Sequence, residues 1–263
     1  SHSGIVLARL QQTGLREKVR KHIEQLNVTT VEDYLYLLNA SGSSSVREEL
    51  MGIVTVGESF FYRNPDQFRF LAHEFLPALY ERKREVGCRL IRIWSAGCST
   101  GEEAYSLAHM VRFVQTHFPE MNIEILACDI NRRNLGFAEK GLYRKRSMRG
   151  QATEMQNELK VPLGRNLENG AFQVVEELKS QVTFQYQNLR QLENLKSHQG
   201  SDIIFCRNVL IYFEDAFRQQ LVQTFCDLLN PGGMLFLGET ESISGLDGLR
   251  LVPCRGAFGY LKG

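Results

Sequence analysis

The sequence predicts an α/β fold. It combines a mostly parallel sheet carrying an antiparallel edge hairpin, a small inserted antiparallel β-subdomain and an all-helical N-terminal domain. Three observations carry this. Strand and helix patterns alternate from residue 88 onward, as a parallel sheet with crossover helices requires. Residues 4 to 85 show helical patterning throughout. The stretch "LRLVPCRGAFGYLKG" holds two short strand patterns around a glycine turn with no helix between them, which suits a hairpin on a sheet edge.

The elements follow in order. "GLREKVRKHIEQLN" places Leu15, Val19, Ile23 and Leu26 on one face, with Arg16, Lys18, Arg20 and Lys21 on the others. "VEDYLYLLNA" and, after a Gly/Ser turn, "SSVREELMGIVTV" continue the helical region. Asn64 before Pro65 reads as an N-cap followed by proline at the first helical position of "RNPDQFRFLAHEFLPALYERKRE". Then "CRLIRIWSAG" is a strand, "GEEAYSLAHMVRFVQTHF" a helix, "NIEILACD" a strand and "NRRNLGFAEKGLY" a helix. "SDIIFCRN", "EDAFRQQLVQTFCDLL" and "GGMLFLGE" repeat the alternation, with Pro231-Gly232-Gly233 as a helix stop. Between residues 142 and 187 it breaks. Phe172, Val174, Val182, Phe184 and Tyr186 recur with period two around a polar turn, so this whole segment reads as the antiparallel insertion. The expected division is a helical domain over 1–62, a linker helix over 63–85, and an α/β domain over 86–263 interrupted at about 142–187.

The composition is that of an ordinary globular chain: 263 residues, 43% hydrophobic, 23% charged and a net charge of +1. Such a balance gives no reason to expect nucleic acid. No apolar run approaches the ~20 residues of a membrane span. "SHSG" lacks an initiator Met and reads as a tag remnant before a trimmed start, with no signal peptide in view. Cys88, Cys98, Cys128, Cys206, Cys226 and Cys254 form no C-x-x-C pair, so no metal site is expected, and their scatter suits a reducing cytoplasm.

The chemistry concentrates in "RIWSAGCSTGEEAYSLA", where a strand meets a glycine turn and then a helix. A dinucleotide fingerprint would be G-x-G-x-x-G. Here only Gly97 and Gly101 are present, and Glu102 and Glu103 open the helix. Carboxylates at that end suit the helix dipole but oppose a pyrophosphate. The cofactor is therefore expected to carry positive charge, or at least to lack phosphate; S-adenosylmethionine does both. Asp129, at the end of "ACD", would sit beside this turn and could accept both ribose hydroxyls. The bland reading is a cap for the next helix, with Asn131 as the competing cap. For Glu102 and Glu103 the bland reading is dipole stabilisation alone.

Taken together, "FFYRNPDQF", "WSAGCSTGEEAYSLA", "CDI", "YQNL" and "DIIFCRNVLIYF" resemble the chemotaxis receptor glutamate O-methyltransferases, the CheR family, over nearly the whole chain and in order. The resemblance implies a class I S-adenosylmethionine methyltransferase fold. It also implies methyl transfer to glutamates on the cytoplasmic helical region of methyl-accepting receptors, by a cytoplasmic enzyme with a monomer as the default. By position it assigns Gly57, Ser59 and Arg63 to the cofactor from the loop joining the domains. Gly97 is a cofactor-binding position, Glu103 meets the methionine end, Asp129 takes the ribose, and Asn188 and Leu189 flank the adenine. Arg207 and Asn208 line the cleft, and Tyr212 faces the methyl group. Gly57 departs from the asparagine frequent in the family, Ala104 from a frequent proline, and the first helix reads as truncated or absent.

A glutamate acceptor is ionised near neutral pH and needs no base, since its reference pKa is ~4.3. Arg63 and Tyr212 are then the catalytic candidates, as orienting groups. Their bland readings are an interdomain salt bridge and core packing. Arg16, Arg20 and Lys21 are candidates for docking an acidic receptor bundle, or a solvated face. The rivals are a methyltransferase for another substrate class and a non-catalytic cofactor-binding scaffold. The strand end "CRNVLIYF" lacks the Pro-Pro of N6-adenine and amide methyltransferases.

Overall fold

The computed structural model describes residues 12–40, 44–54, 59–243 and 247–263. Gly57 and the start of the chain lie outside them, so the expectations placed there are not taken further. Three helices come first: α1 (Gln12–Gln25), α2 (Val31–Asn39) and α3 (Ser44–Val54). The Thr30 hydroxyl caps α2 by accepting from the Asp33 N–H. Buried His22 on α1 ties the three together. Its Nε2 donates to the Glu49 carboxylate on α3 at 3.1 Å, and its Nδ1 meets the Tyr34 hydroxyl on α2 at 3.0 Å. Because a carboxylate only accepts, that pairing sets the ring's proton on Nε2.

A helical stretch follows as α4 (Pro65–Phe70), a π-turn (Leu71–Phe75) and α5 (Leu76–Glu85). Pro77 lacks an N–H and crowds the preceding carbonyls; the wider π-turn just before it accommodates this within one continuous stretch. Asn64 occupies the N-cap position as expected. It does so in the left-handed conformation at φ 60°, and its side chain makes no cap hydrogen bond.

The α/β part comprises β1 (Leu90–Ala96), α6 (Glu102–Gln115), β2 (Asn122–Asp129), α7 (Arg132–Lys140), β3 (Leu142–Arg144), α8 (Ala152–Leu159), β4 (Gly164–Asn166), β5 (Ala171–Val174), α9 (Glu176–Lys179), β6 (Val182–Tyr186), β7 (Ser201–Cys206), α10 (Asp215–Leu228), β8 (Leu229–Leu237), β9 (Leu249–Cys254) and β10 (Ala257–Lys262). The large sheet has seven strands in the order β6-β2-β1-β7-β8-β10-β9. Pairing is parallel up to β8, and β10 runs antiparallel to both its neighbours. The expected edge hairpin is thus present, with β10 inserted between β8 and β9. Strand β7 is buried along its whole length, as the centre of a sheet covered on both faces must be.

Two readings need correction. The small sheet is β3-β5-β4, so it takes Phe172 and Val174 but not Val182, Phe184 or Tyr186. Those three lie on β6, which pairs in parallel with β2 at the edge of the large sheet. Period-two alternation marks a half-buried strand without saying which sheet it joins. Pro231-Gly232-Gly233 does not separate helix from strand either, because β8 begins at Leu229 and passes through it.

From β1 the chain first builds outward through β2 to β6, then returns to lay β7 on the other side of β1. The carboxyl ends of β1 and β7 therefore diverge, and loops leaving them open a crevice, the usual place for a ligand in such sheets.

Candidate active site

A cleft lies at that crevice. Its floor is the loop between β1 and α6. Gly97 and Gly101 adopt φ of 89° and 91°, and a Cβ on Gly97 would stand 2.5 Å from a Val209 methyl. Only glycine lets the loop turn this tightly beneath the segment that follows β7.

The loop's amides are already engaged. Gly97 and Cys98 both donate to the Cys128 carbonyl at 2.8 Å, and Ser99 donates to Asp129 Oδ2 at 2.8 Å. The N–H groups that would cradle a phosphate in a dinucleotide site are thus turned inward onto β2. The remaining polar groups on the floor are carboxylates. That donor set fits a cationic, phosphate-free cofactor and disfavours a pyrophosphate.

The paired glutamates part ways. Glu102 is buried and accepts from the Thr100 and Ser147 hydroxyls at 2.6 and 3.0 Å, which ties the loop to the short helical turn after β3. Glu103 lines the cleft. Its two oxygens accept from Ser95 Oγ and Arg207 Nε, each at 2.7 Å. The competition between Asp129 and Asn131 is resolved as well. Asn131 Oδ1 caps α7 by accepting from the Arg133 and Asn134 amides, so Asp129 is not that helix's cap. Asp129 instead faces the cleft while holding the Ser99 and Asn131 N–H groups. Burial pushes its carboxyl up from the ordinary value, and those backbone N–H groups pull against the shift.

The other walls come from three loops. After β6, Asn188 and Leu189 reach the cleft, both buried. Asn188 Oδ1 accepts from the Arg190 amide, and the Gln187 amide donates to the Asp129 carbonyl, which keeps this loop beside β2. From the interdomain loop come Ser59, Phe60 and Arg63. That loop is pinned three ways: Phe61 N–H to the Ser147 carbonyl, Tyr62 N–H to Ser106 Oγ, and the Tyr62 hydroxyl to His109 Nδ1. After β7 come Arg207, Asn208, Val209 and Tyr212. Burial pushes Tyr212 above its ordinary value, and the nearby Arg63 charge opposes that.

Among the described residues, every expected cofactor or catalytic position therefore lines this one cleft. Arg16, Arg20 and Lys21 do not. They lie exposed on α1, where Glu17 is 2.9 Å from Arg20 and 3.8 Å from Lys21.

The sequence reading missed Glu241. This buried carboxylate accepts from the Asn208 and Gly238 amides through Oε2, at 2.7 and 2.9 Å, and from the Ile211 amide through Oε1 at 3.2 Å. It fixes the turn that carries Tyr212. No motif flags it, because two of its three partners are backbone groups some thirty residues away in sequence. Gln67 was missed similarly. Its Oε1 accepts from Arg207 Nη1 and its Nε2 donates to the Leu237 carbonyl.

The family model for the CheR methyltransferase S-adenosylmethionine-binding domain matches residues 57–254. Chemotaxis protein methyltransferase 2 of Vibrio cholerae is 31% identical, covering 99% of this chain and 88% of that protein. The probable chemotaxis protein methyltransferase of Rhizobium etli is 31% identical over 93% of this chain and 90% of its own length. The chemotaxis protein methyltransferase of Borreliella burgdorferi is 30% identical over 95% and 87%. Among solved structures, magnesium protoporphyrin IX methyltransferase from Synechocystis PCC 6803 with bound SAM is similar over 85% of this chain and 97% of that one. At 14% identity and a TM-score of 0.36 that superposition carries no weight, and the fold rests on the strand order. In sequence along almost its whole length, the chain belongs to the CheR family of S-adenosylmethionine-dependent methyltransferases.

Proposed function

We propose that the enzyme transfers a methyl group to glutamate side chains in the cytoplasmic helical region of methyl-accepting chemotaxis-type receptors. The products are glutamate methyl esters and S-adenosylhomocysteine. The observation that carries this reading is that, among the described residues lining the cleft, none is a free base. No histidine or lysine is among them. Glu103 is engaged by Arg207 and Ser95, and Asp129 by two backbone amides. An amine or hydroxyl acceptor needs a base to take its proton, whereas a carboxylate needs none.

S-adenosylmethionine supplies a sulfonium methyl open to in-line displacement. The chain's own task is to hold the acceptor in line and exclude water. In this reading Asp129 accepts the ribose hydroxyls, Glu103 faces the amino-acid ammonium, and Asn188 and Leu189 flank the base. Arg63 orients a carboxylate, which it can do as a planar donor but not as a base. Tyr212 donates to the acceptor oxygen that does not attack. A cytoplasmic location and a monomeric state fit such a substrate. Among the described residues no helix is long and apolar enough to cross a membrane.

The test is transfer of radiolabelled methyl groups to receptor-containing membranes, followed by alkali. A glutamate ester releases labelled methanol. Label retained through alkali, as on an amine, overturns the reading.

A further inference from the structure

Arg132 opens α7, three residues after Asp129, and its side chain reaches two other elements. Its Nε donates to Glu48 Oε1 on α3 at 3.1 Å. The same guanidinium lies 4.0 Å from the ring centre of Tyr186, the last residue of β6. A cation over a tyrosine face at that distance is attracted by the ring's negative π-surface.

Tyr186 leads directly into the cleft wall. It is the register partner of Asp129 between β6 and β2, and the next amide, that of Gln187, donates to the Asp129 carbonyl at 3.1 Å. Gln187, Asn188 and Leu189 then line the cleft from β6, as Asp129 and Ile130 do from β2. One side chain therefore spans, from outside, the two strand ends that build this wall.

Helix α3 rests on the same segment. Besides the Glu48 contact, Glu49 Oε1 lies 3.3 Å from Arg133 Nη2, while its Oε2 accepts from His22. One turn after Glu48, a Cβ on Gly52 would stand 3.7 Å from Asn131 Nδ2, so the helix backbone lies against that side chain. The Asn131 amide in turn donates to Asp129 Oδ1 at 2.8 Å. Glu48, Glu49 and Gly52 thus meet Arg132, Arg133 and Asn131, the residues that follow the cleft carboxylate. Through His22, α1 and α2 are joined to the same contact.

The ordinary reading of such a pair is a solvated surface contact. With side chains 55% and 39% exposed, Arg132 and Glu48 contribute little to stability by their charges alone. Their leverage lies in position. Tyr186 is one residue from the cleft lining, and Arg132 is two from Ile130.

We propose that Arg132 is a positioning residue for the nucleoside side of the cofactor cleft. It latches α3 and the Tyr186 strand end to the turn that carries Asp129, so the seat of the helical domain helps to set cofactor affinity. This rests on the reading that places the ribose at Asp129 and the base beside Asn188 and Leu189. Such coupling is reciprocal, so a bound cofactor steadies α3 in return.

The experiment titrates S-adenosylhomocysteine calorimetrically into the full chain and its Arg132→Ala, Arg132→Lys and Tyr186→Leu variants. Arg132→Ala weakens binding about five- to tenfold. Lysine recovers part of this, because an ammonium can stack and pair but lacks the planar fork. The loss from Arg132→Ala is smaller in a Tyr186→Leu background, since the stacking partner is already gone. The KM for S-adenosylmethionine rises by the same factor, while kcat at saturation and the urea midpoint of the ligand-free protein stay close to wild type. Amide hydrogen exchange in α3 slows on adding S-adenosylhomocysteine to wild type and does not in Arg132→Ala.

Wild-type affinity in Arg132→Ala overturns the proposal, as do losses that simply add with those of Tyr186→Leu. A fall in the ligand-free urea midpoint that matches the affinity loss also overturns it, because the residue is then only structural. Exchange in α3 that ignores the ligand in wild type removes the link to the helical domain. Asp129→Ala measured alongside separates the two readings. If it binds normally, the ribose placement fails; if it binds weakly while Arg132→Ala binds normally, only the latch fails.

Discussion

Arg207 Nε donates to Glu103 Oε2 at 2.7 Å, with the two side chains only 2% and 12% exposed. The pair joins the strand end after β7 to the first turn of α6 beneath the cleft. Arg207 Nη1 also reaches the Arg63 carbonyl at 2.6 Å and Gln67 Oε1 at 2.9 Å, so one guanidinium holds three elements. A lysine offers a point charge in place of this fork. Arg207→Ala strands Glu103 without its partner and is expected to cost about 3–5 kcal/mol of stability. Arg207→Lys recovers part of the stability but leaves the interdomain loop untethered, so its cofactor affinity stays below wild type. Urea unfolding and calorimetry on both variants check this. Full recovery of affinity by lysine would show that the fork is dispensable.

Asp129 offers a cleaner test of the cofactor's position. Its carboxylate organises the Ser99 and Asn131 amides and still faces the cleft. A charged hydrogen bond contributes ~1.5–3 kcal/mol, so Asp129→Ala should weaken S-adenosylmethionine by roughly ten- to a hundredfold. Calorimetric affinity equal to wild type, with the fold intact by circular dichroism, refutes the ribose assignment.

How much of this was legible beforehand depends on the range of the signal. The alternation of "CRLIRIWSAG" with its following helix is local, and the sheet it predicts is the sheet observed. The same holds for Asp129 and Glu103, whose place follows from a strand end and a helix start adjacent in sequence. Tyr186 was assigned to the wrong sheet because pairing partners are chosen by tertiary packing, which period two does not encode. Glu241 was invisible for a related reason. A carboxylate that serves backbone amides across the fold has no spacing to recognise.

The buried histidines make stability depend on pH. His109 Nε2 lies 2.7 Å from the Val161 carbonyl, which can only accept, so the proton sits there and Nδ1 accepts from the Tyr62 hydroxyl. Burial lowers His109 to about 4, and it does the same to His198, which stacks on Trp94. The unfolded chain titrates both near the ordinary histidine value of 6.5. Between those values the unfolded state binds more protons, so stability rises with pH. The contribution is complete above pH ~6.5, falls through the window down to ~4, and amounts to a few kcal/mol for each histidine. Urea midpoints for wild type and for His109→Gln with His198→Gln, measured at pH 7.5 and 5, check this. The double variant should be less stable at both values but show a smaller drop between them. An equal drop in the two proteins would place the acid sensitivity elsewhere.

The last prediction couples Glu241 to Tyr212. Glu241 holds the Asn208 and Ile211 amides, and Tyr212 follows directly on that turn at the cleft wall. If Tyr212 orients the acceptor carboxylate, Tyr212→Phe lowers kcat by one hydrogen bond. That is ~1–3 kcal/mol, or roughly five- to a hundredfold, with S-adenosylmethionine affinity nearly intact. No limb should appear near pH 10, because the hydroxyl donates without ionising and burial pushes its pKa up. Glu241→Gln replaces one accepting oxygen with a donor that faces backbone N–H groups, so the turn loses at least one anchor. Its kcat should fall to a similar degree, because the same hydroxyl is now misplaced. The double variant should then be little worse than either single, since a group already absent cannot be misplaced again. Strictly multiplicative losses would mean that Glu241 acts on the reaction by a route that does not pass through Tyr212. Full activity of Tyr212→Phe would make that residue part of the packing, and loss of cofactor binding in it would move Tyr212 into the cofactor pocket.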